Sequence, residues 1–137
     1  MGASEVLIRT TIEMGTRPLE KARWAGAVDA VGGDLLAWLT RTTAHWGGIA
    51  SVGLTGGVDL HLTVILFILR GVSVLGIDSV LCPMDLCREV WRRLATGMKP
   101  PDLALMSQTI PLGELPHAFT TLLEGRARGR FVVSIDD

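Results

Sequence analysis

Short apolar runs alternate with segments of helical period along the chain. The runs that predict strands are 5–8, 27–31, 49–52, 72–77, 105–110 and 131–135. Apolar residues three and four positions apart predict helices over 34–43, 83–94 and 116–123, whereas the apolar run 63–69 fits a helix or a strand. Because strands and helices alternate, the pattern predicts an α/β fold with a mostly parallel sheet.

The same pattern predicts where the first helix begins and ends. Asp34 is predicted as its N-cap, and Gly47–Gly48 is predicted to end it and to open the next strand. The runs near Val28, Ile49 and Val74 are apolar at both alternations. That pattern is typical of central strands with helices on both faces.

Length and charge limit the number of domains and the kinds of partner that we expect. The 137 residues have room for one domain of ordinary size. The 13 Lys and Arg residues nearly balance the 14 Asp and Glu residues, and Tyr is absent, so neither nucleic acid nor an anionic membrane is an expected partner. The most apolar stretch is interrupted by Arg70 and glycines, and the N-terminus lacks a signal-peptide pattern, so we expect a cytoplasmic protein.

The ends of three predicted strands carry the candidate binding residues. The segments 31–33, 53–57 and 76–79 are rich in glycine or small polar residues. Ligands of open parallel sheets bind outside the carboxyl ends of the strands, where glycine lets a ligand approach the backbone. The alternative is that these segments are tight turns without a ligand. No glycine fingerprint for a dinucleotide pyrophosphate or a P-loop is visible.

Four polar side chains have two interpretations each. Asp29 lies in an apolar strand, where it either holds a neighbouring loop or faces the site. Asp78 follows a strand and either reaches a ligand or forms a turn with Ser79. Cys82 and Cys87 lack the further ligands that a zinc site needs, which favours buried thiols.

Several motifs resemble the medium-chain dehydrogenase/reductase superfamily, and within it the acrylyl-CoA reductase / YhdH–YhfP quinone oxidoreductase family. The matching motifs are W-A-G-A-V-D-A-V-G at 24–32, G-L-T-G-G at 53–57, F-I-L-R-G-V at 67–72, L-G-I-D-S at 75–79 and G-R at 129–130. The resemblance runs along essentially the whole chain.

The resemblance implies a fold that is only partly present. It implies that residues 1–97 are the distal half of an NADP-binding Rossmann domain, with helices on both faces of its sheet. It implies that residues 98–137 are a strand–helix–strand segment of a GroES-like catalytic domain. On this interpretation the first two Rossmann strands, the glycine-rich phosphate loop and the rest of the catalytic domain lie upstream of this chain.

The resemblance also implies a cofactor and contact residues. Family members are NADPH-dependent reductases of activated alkenes that lack catalytic zinc. By position, Leu54, Ile68, Ser79 and Arg126 are implied to contact NADP(H), and no catalytic or metal-binding residue is assigned.

Two functions remain open at this point. The first is part of an NADPH-dependent oxidoreductase that transfers hydride to an activated alkene, acyl-CoA or quinone, and that is inactive as this chain alone. The second is a non-catalytic protein that keeps the dimerisation half of the fold. Under either, the resemblance implies a homodimer through the edge strand at 72–77, where unpaired amides and carbonyls favour pairing.

Overall fold

The computed structural model describes residues 3–135 and divides the chain into two compact units. One unit is Ala3–Cys82 and the other begins at Pro83. The strands are β1 Trp24–Asp29, β2 Thr43–Ser51, β3 Ser73–Gly76, β4 Ser107–Pro111 and β5 Arg130–Ser134. The helices are α1 Gly33–Thr42, α2 Ile65–Arg70, α3 Met84–Ala95 and α4 Leu115–Leu123, and short 3-10 turns lie at Arg9–Thr11, Leu103–Met106 and Leu112–Glu114.

The first unit contains a three-stranded parallel sheet in the order β1-β2-β3. Its register places Ala27, Ile49 and Val74 side by side. Helix α1 connects β1 to β2, and α2 connects β2 to β3. The alternation of strand and helix therefore gives the parallel sheet that the sequence predicts, and the ambiguous run 63–69 forms the helix α2 rather than a strand.

One face of this sheet carries the core of the first unit. Leu36 of α1 and Ile49 of β2 are buried together with Val72, which precedes β3. Ala27, Leu39 and Val74 pack against this cluster. Burial of these side chains holds α1 on the sheet, since each buried aliphatic side chain contributes about 1.5–3 kcal/mol.

The other face of the sheet is exposed within the first unit. Val28 is 76% exposed and Leu75 is 56% exposed, although both are apolar strand residues. Among the described strands, β1 and β3 each pair only with β2. The expectation of a central position therefore holds for β2, whereas β1 and β3 are edge strands among the described residues. The first unit leaves the second face of the sheet largely uncovered.

Three local predictions in the first unit are wrong. Residues 5–8 are not a strand: they pair with no described strand, and Val6 is 84% exposed. Asp34 lies in the first turn of α1, and the N-cap position is occupied by Gly32. Helix α1 ends at Thr42 rather than near Gly47, and both glycines of the 47–48 pair lie inside β2.

A series of threonines explains the early end of α1. Hydroxyls of Thr40, Thr42 and Thr43 donate to carbonyls three or four residues earlier, at 2.7–3.2 Å. β-Branched residues are poor helix formers and good strand formers. Among the last four carbonyls of the helix, that of Leu39 accepts the Thr42 and Thr43 hydroxyls. The chain therefore changes from helix to strand at Thr43.

The second unit contains the elements from α3 to β5. Strands β4 and β5 form a parallel pair connected by α4, as expected for a strand–helix–strand segment. Strand β4 begins at Ser107 because Leu103–Met106 form a 3-10 turn. The apolar stripe of α3 is exposed within the described residues, with Trp91 at 67%. The assignment of residues 1–97 and 98–137 to two family domains stays a prediction.

Candidate functional site

The carboxyl ends of β1, β2 and β3 lie side by side and carry the glycine-rich loops. Gly32 and Gly57 form an isolated bridge between the loop after β1 and the loop after β2. The amide of Gly56 donates to the Val31 carbonyl at 2.7 Å, and the amide of Val52 donates to the Asp29 carbonyl at 2.7 Å. The two loops are therefore joined by their main chains.

The Asp29 carboxylate fixes the first of these loops. Asp29 is 1% exposed, and its Oδ2 accepts the Gly32 amide at 3.0 Å. Its Oδ1 accepts the amides of Gly32 and Val31, both at 3.2 Å. Of the two interpretations open from the sequence, Asp29 therefore holds the neighbouring loop. These bonds offset the cost of burying a charged group.

The loops approach so closely that only glycine fits at their contact. Gly32 has φ +74°, and a Cβ there would lie 2.6 Å from the Gly57 carbonyl oxygen. A Cβ on Gly53 would lie 2.5 Å from the Ala30 carbonyl oxygen. The contact is thus built from backbone atoms, which a ligand can approach directly.

A cavity of about 520 Å³ lies on one side of this contact, and we call it the first cleft. The residues that line it are Gly32, Gly33, Leu36, Ser51, Val52, Gly53, Leu54, Gly57, Val58, Asp59, Leu60, Gly76, Ile77 and Asp78. None of these lining residues is Lys, Arg or His. A Cβ on Gly76 would meet no atom within 4 Å, so the end of β3 leaves open space at the cleft.

A second cavity, the second cleft, has a volume of about 370 Å³ and shares Gly32 with the first. Arg9, Thr10, Thr55 and Gly56 are among the residues that line it, together with Asp34 at the start of α1. A guanidinium, two hydroxyls and the N-terminal end of a ten-residue helix favour an anion there, whereas the Asp34 carboxylate opposes one. Arg9 was not among the residues predicted from the sequence, where its signal was a basic residue directly after an apolar run.

The four residues that are implied to contact NADP(H) lie in different parts of the structure. Leu54 lines the first cleft, and Ser79 follows Asp78, which lines it too. Ile68 is 75% exposed on α2 and is not among the lining residues of that cleft. Arg126 belongs to the second unit and pairs with Glu124, its Nε donating at 2.8 Å. None of the four roles is tested by these positions.

The remaining polar candidates have structural explanations. Asp78 forms the turn expected as one alternative, since its Oδ1 accepts the amides of Val80 and Leu81 at 2.9 and 3.0 Å. Cys82 and Cys87 are half-buried rather than buried. In residues 3–135, no three His, Cys, Asp or Glu side chains come together in a way that would hold a metal ion. No helix within that range has the length and apolar character to cross a membrane.

Comparison with curated proteins gives relatives along the whole chain, although no protein-family model matches. The sequence is 45% identical over 137 residues to the protein of Bacillus subtilis named as a quinone oxidoreductase, YhfP, covering 98% of this chain and 42% of the relative. It is 41% identical to the acrylyl-CoA reductase AcuI of Ruegeria pomeroyi, with 99% and 42% covered. The chain thus spans well under half the length of these relatives.

Solved structures agree with this relationship. The structure of Bacillus subtilis YhfP with NAD bound superposes with a TM-score of 0.89 at 46% identity, covering 98% of this chain and 41% of that one. The structure of Escherichia coli YhdH with bound NADPH gives 0.85 at 37% identity, covering 98% and 42%. Benzyl alcohol dehydrogenase of Acinetobacter calcoaceticus, at 21% identity and 0.60, shares the fold alone. Sequence and fold together identify this chain as a homologue of the C-terminal part of the medium-chain dehydrogenases/reductases of the YhfP and acrylyl-CoA reductase type.

Proposed function

We propose that this chain supplies part of an NADP(H) site in an oxidoreductase that transfers hydride to an activated alkene, acyl-CoA or quinone. The observation that carries the proposal is the pair of clefts on either side of the Gly32–Gly57 contact, one with a cationic side chain and one without. A dinucleotide needs both environments, because its phosphates are anionic and its nicotinamide ring is neutral or cationic.

The chemistry of the two clefts supports one orientation of the cofactor. We assign the phosphate groups to the second cleft, where Arg9 and the start of α1 favour negative charge and one carboxylate, that of Asp34, opposes it. The nicotinamide belongs in the first cleft, where Asp59 and Asp78 disfavour phosphate. The open space beside Gly76 and the backbone wall at Gly32 suit a flat ring.

The residue assignments come from the family resemblance, and the position of Leu54 in the first cleft supports one of them. Leu54 would pack against the nicotinamide, and Ser79 would donate a hydrogen bond from the rim of the same cleft. Ile68 and Arg126 stay in the proposal as further cofactor contacts, on the family resemblance alone. When bound, the cofactor supplies the hydride, and the chain's own residues hold and orient the ring.

The substrate class rests on the names of the relatives. One is named as a quinone oxidoreductase and another as an acrylyl-CoA reductase. Both names describe hydride acceptors with an electron-poor double bond or ring. We therefore propose a small-molecule acceptor of this kind.

Titration of the chain with NADPH, followed by NMR of its backbone amides, tests the cofactor site. We expect weak binding, with shifts concentrated at Gly32, Gly33, Gly56 and Gly57. Each charge-assisted hydrogen bond that the remaining length of the relatives supplies is worth about 1.5–3 kcal/mol, so its loss weakens binding strongly. The absence of shifts at these four glycines would contradict the proposal. A parallel NADPH-oxidation assay with an activated alkene measures turnover, which we expect to be negligible.

A non-catalytic protein that keeps the dimerisation half of the fold is the second candidate. It is supported by β3, which has no partner on its outer side among the described strands. We propose that residues 72–77 pair with a second copy along this edge. Leu75→Lys should then lower the dimer fraction in light scattering, whereas Val64→Lys, at another exposed apolar position, should not. A monomeric parent chain at micromolar concentration would contradict the pairing.

A further inference from the structure

We infer that Asp59 and Asp78 make the first cleft prefer the oxidised, cationic nicotinamide over the reduced, neutral one. The inference rests on the proposed function, since it requires the ring to occupy this cleft. Asp59 is then a residue that sets the relative affinity for the two redox states of the cofactor.

The charge distribution of the cleft is one-sided. Asp59 and Asp78 both line it, and no lining residue carries a positive charge. Within residues 3–135, Asp59 has no ion-pair partner, and Asp78 uses Oδ1 for two backbone amides of its own turn. The negative charge of the cleft is therefore not neutralised by the side chains around it.

Only the ring differs in charge between the two forms of the cofactor. Loss of a hydride, with its two electrons, converts the neutral dihydropyridine to a pyridinium with one positive charge. The phosphates and riboses are common to both forms, so their contacts cancel in a comparison of the two affinities. A carboxylate near the ring raises the affinity for the oxidised form and has almost no effect on the affinity for the reduced form.

Exposure sets the expected size of the effect. Both carboxylates are exposed, so water and salt screen them. Replacement of one exposed charge should change the affinity for the oxidised form by roughly two- to fivefold. Because the change is small, the dissociation constants of NADP⁺ and NADPH are measured on the same protein and compared as a ratio.

The experiment measures the dissociation constants of NADP⁺ and NADPH by NMR titration of the full chain. Asp59→Asn should weaken NADP⁺ by roughly two- to fivefold and leave NADPH nearly unchanged, and added salt should reduce the difference. Asp34→Asn is the matched control, because Asp34 lines the second cleft and the variant has the same change in net charge. It should shift both constants together.

The titrations distinguish failure of the redox-state preference from failure of the proposed function. Binding of both forms with a ratio that Asp59→Asn does not change would overturn the inference and leave the cofactor site standing. A ratio that Asp34→Asn changes as much would also overturn it, since the effect would then be one of net charge. Failure of either form to bind would overturn both proposals.

Discussion

The buried carboxylate of Asp29 accepts the Gly32 amide on both of its oxygens, at 3.0 and 3.2 Å. Asp29 ends β1, and Gly32 precedes α1, so this contact spans the turn from strand to helix. Gly32 in turn meets Gly57 of the next loop. One side chain at the end of a strand thus sets the position of the backbone that forms one side of both clefts.

Replacement of Asp29 should destabilise the first unit. Asp29→Ala leaves the Val31 and Gly32 amides without their acceptor, and an unsatisfied buried amide costs about 1–3 kcal/mol. Asp29→Asn keeps one carbonyl acceptor and should lower the free energy of unfolding by less. Urea denaturation measures the difference in the free energy of unfolding. Equal losses in the two variants would mean that the hydrogen bonds are not the cause.

A side chain at Gly76 should block the first cleft without disturbing the fold. A Cβ there meets nothing within 4 Å, and valine favours the strand conformation, so Gly76→Val should keep or raise the free energy of unfolding. NADPH binding should fall below detection. Gly48→Val is the matched control, since a Cβ there also meets nothing and Gly48 does not line the cleft. Equal NADPH affinity in both variants would contradict the location of the ring.

The contact between the two loops should not tolerate alanine. Gly32→Ala forces a non-glycine residue to φ +74° and brings its Cβ to 2.6 Å from the Gly57 carbonyl. Backbone strain of this kind costs about 1–3 kcal/mol. Gly71→Ala should cost less, because it shares the strain at φ +60° but meets the ring of Trp46, which is 85% exposed and able to move. Thermal unfolding of both variants should show a larger loss of stability for Gly32→Ala than for Gly71→Ala.

Glu20 should titrate below the ordinary carboxyl range. The Arg17 side chain donates to Glu20 Oε2 at 2.9 Å, and the Arg17 amide donates to Oε1 at 3.0 Å, so the pKa of Glu20 is lowered from 4.5. A lowered pKa in the folded state stabilises the fold above the unfolded value, and this contribution is lost as pH falls through the folded pKa. NMR titration should show that Arg17→Gln moves the pKa of Glu20 back toward 4.5. An unchanged pKa would mean that another group sets it.

Periodicity predicted elements that bury their apolar residues and also helix α3, whose apolar stripe is exposed among the described residues. The strand at 49–52 and the helix with Leu36 carry residues of the core, and both are found. The run 5–8 is also largely apolar, but it has no partner strand among the described residues, so it forms no strand. Composition marks a strand only where a neighbour completes its hydrogen bonds, and a single sequence does not show the neighbour.

The candidate site was predictable in its location but not in its charge. Glycine at the ends of predicted strands indicated the loops that join at Gly32 and Gly57. The role of Arg9 depends on where the segment before β1 passes, and no periodicity reports the path of an irregular segment. The same holds for Asp59, whose place beside the first cleft depends on the loop between β2 and α2.

The glycine backbone between the two clefts limits which residues can change when the ligand preference of the site evolves. Because Gly32, Gly53 and Gly57 present backbone atoms, most substitutions elsewhere leave the shape of that backbone unaltered, and substitution of Gly32 or Gly53 brings a Cβ within 2.6 Å of a carbonyl oxygen. New ligand preferences are therefore accessible chiefly through the rims, where Arg9 and Asp59 can vary at little cost in stability. An engineer seeking another cofactor should randomise the rims and keep the glycines.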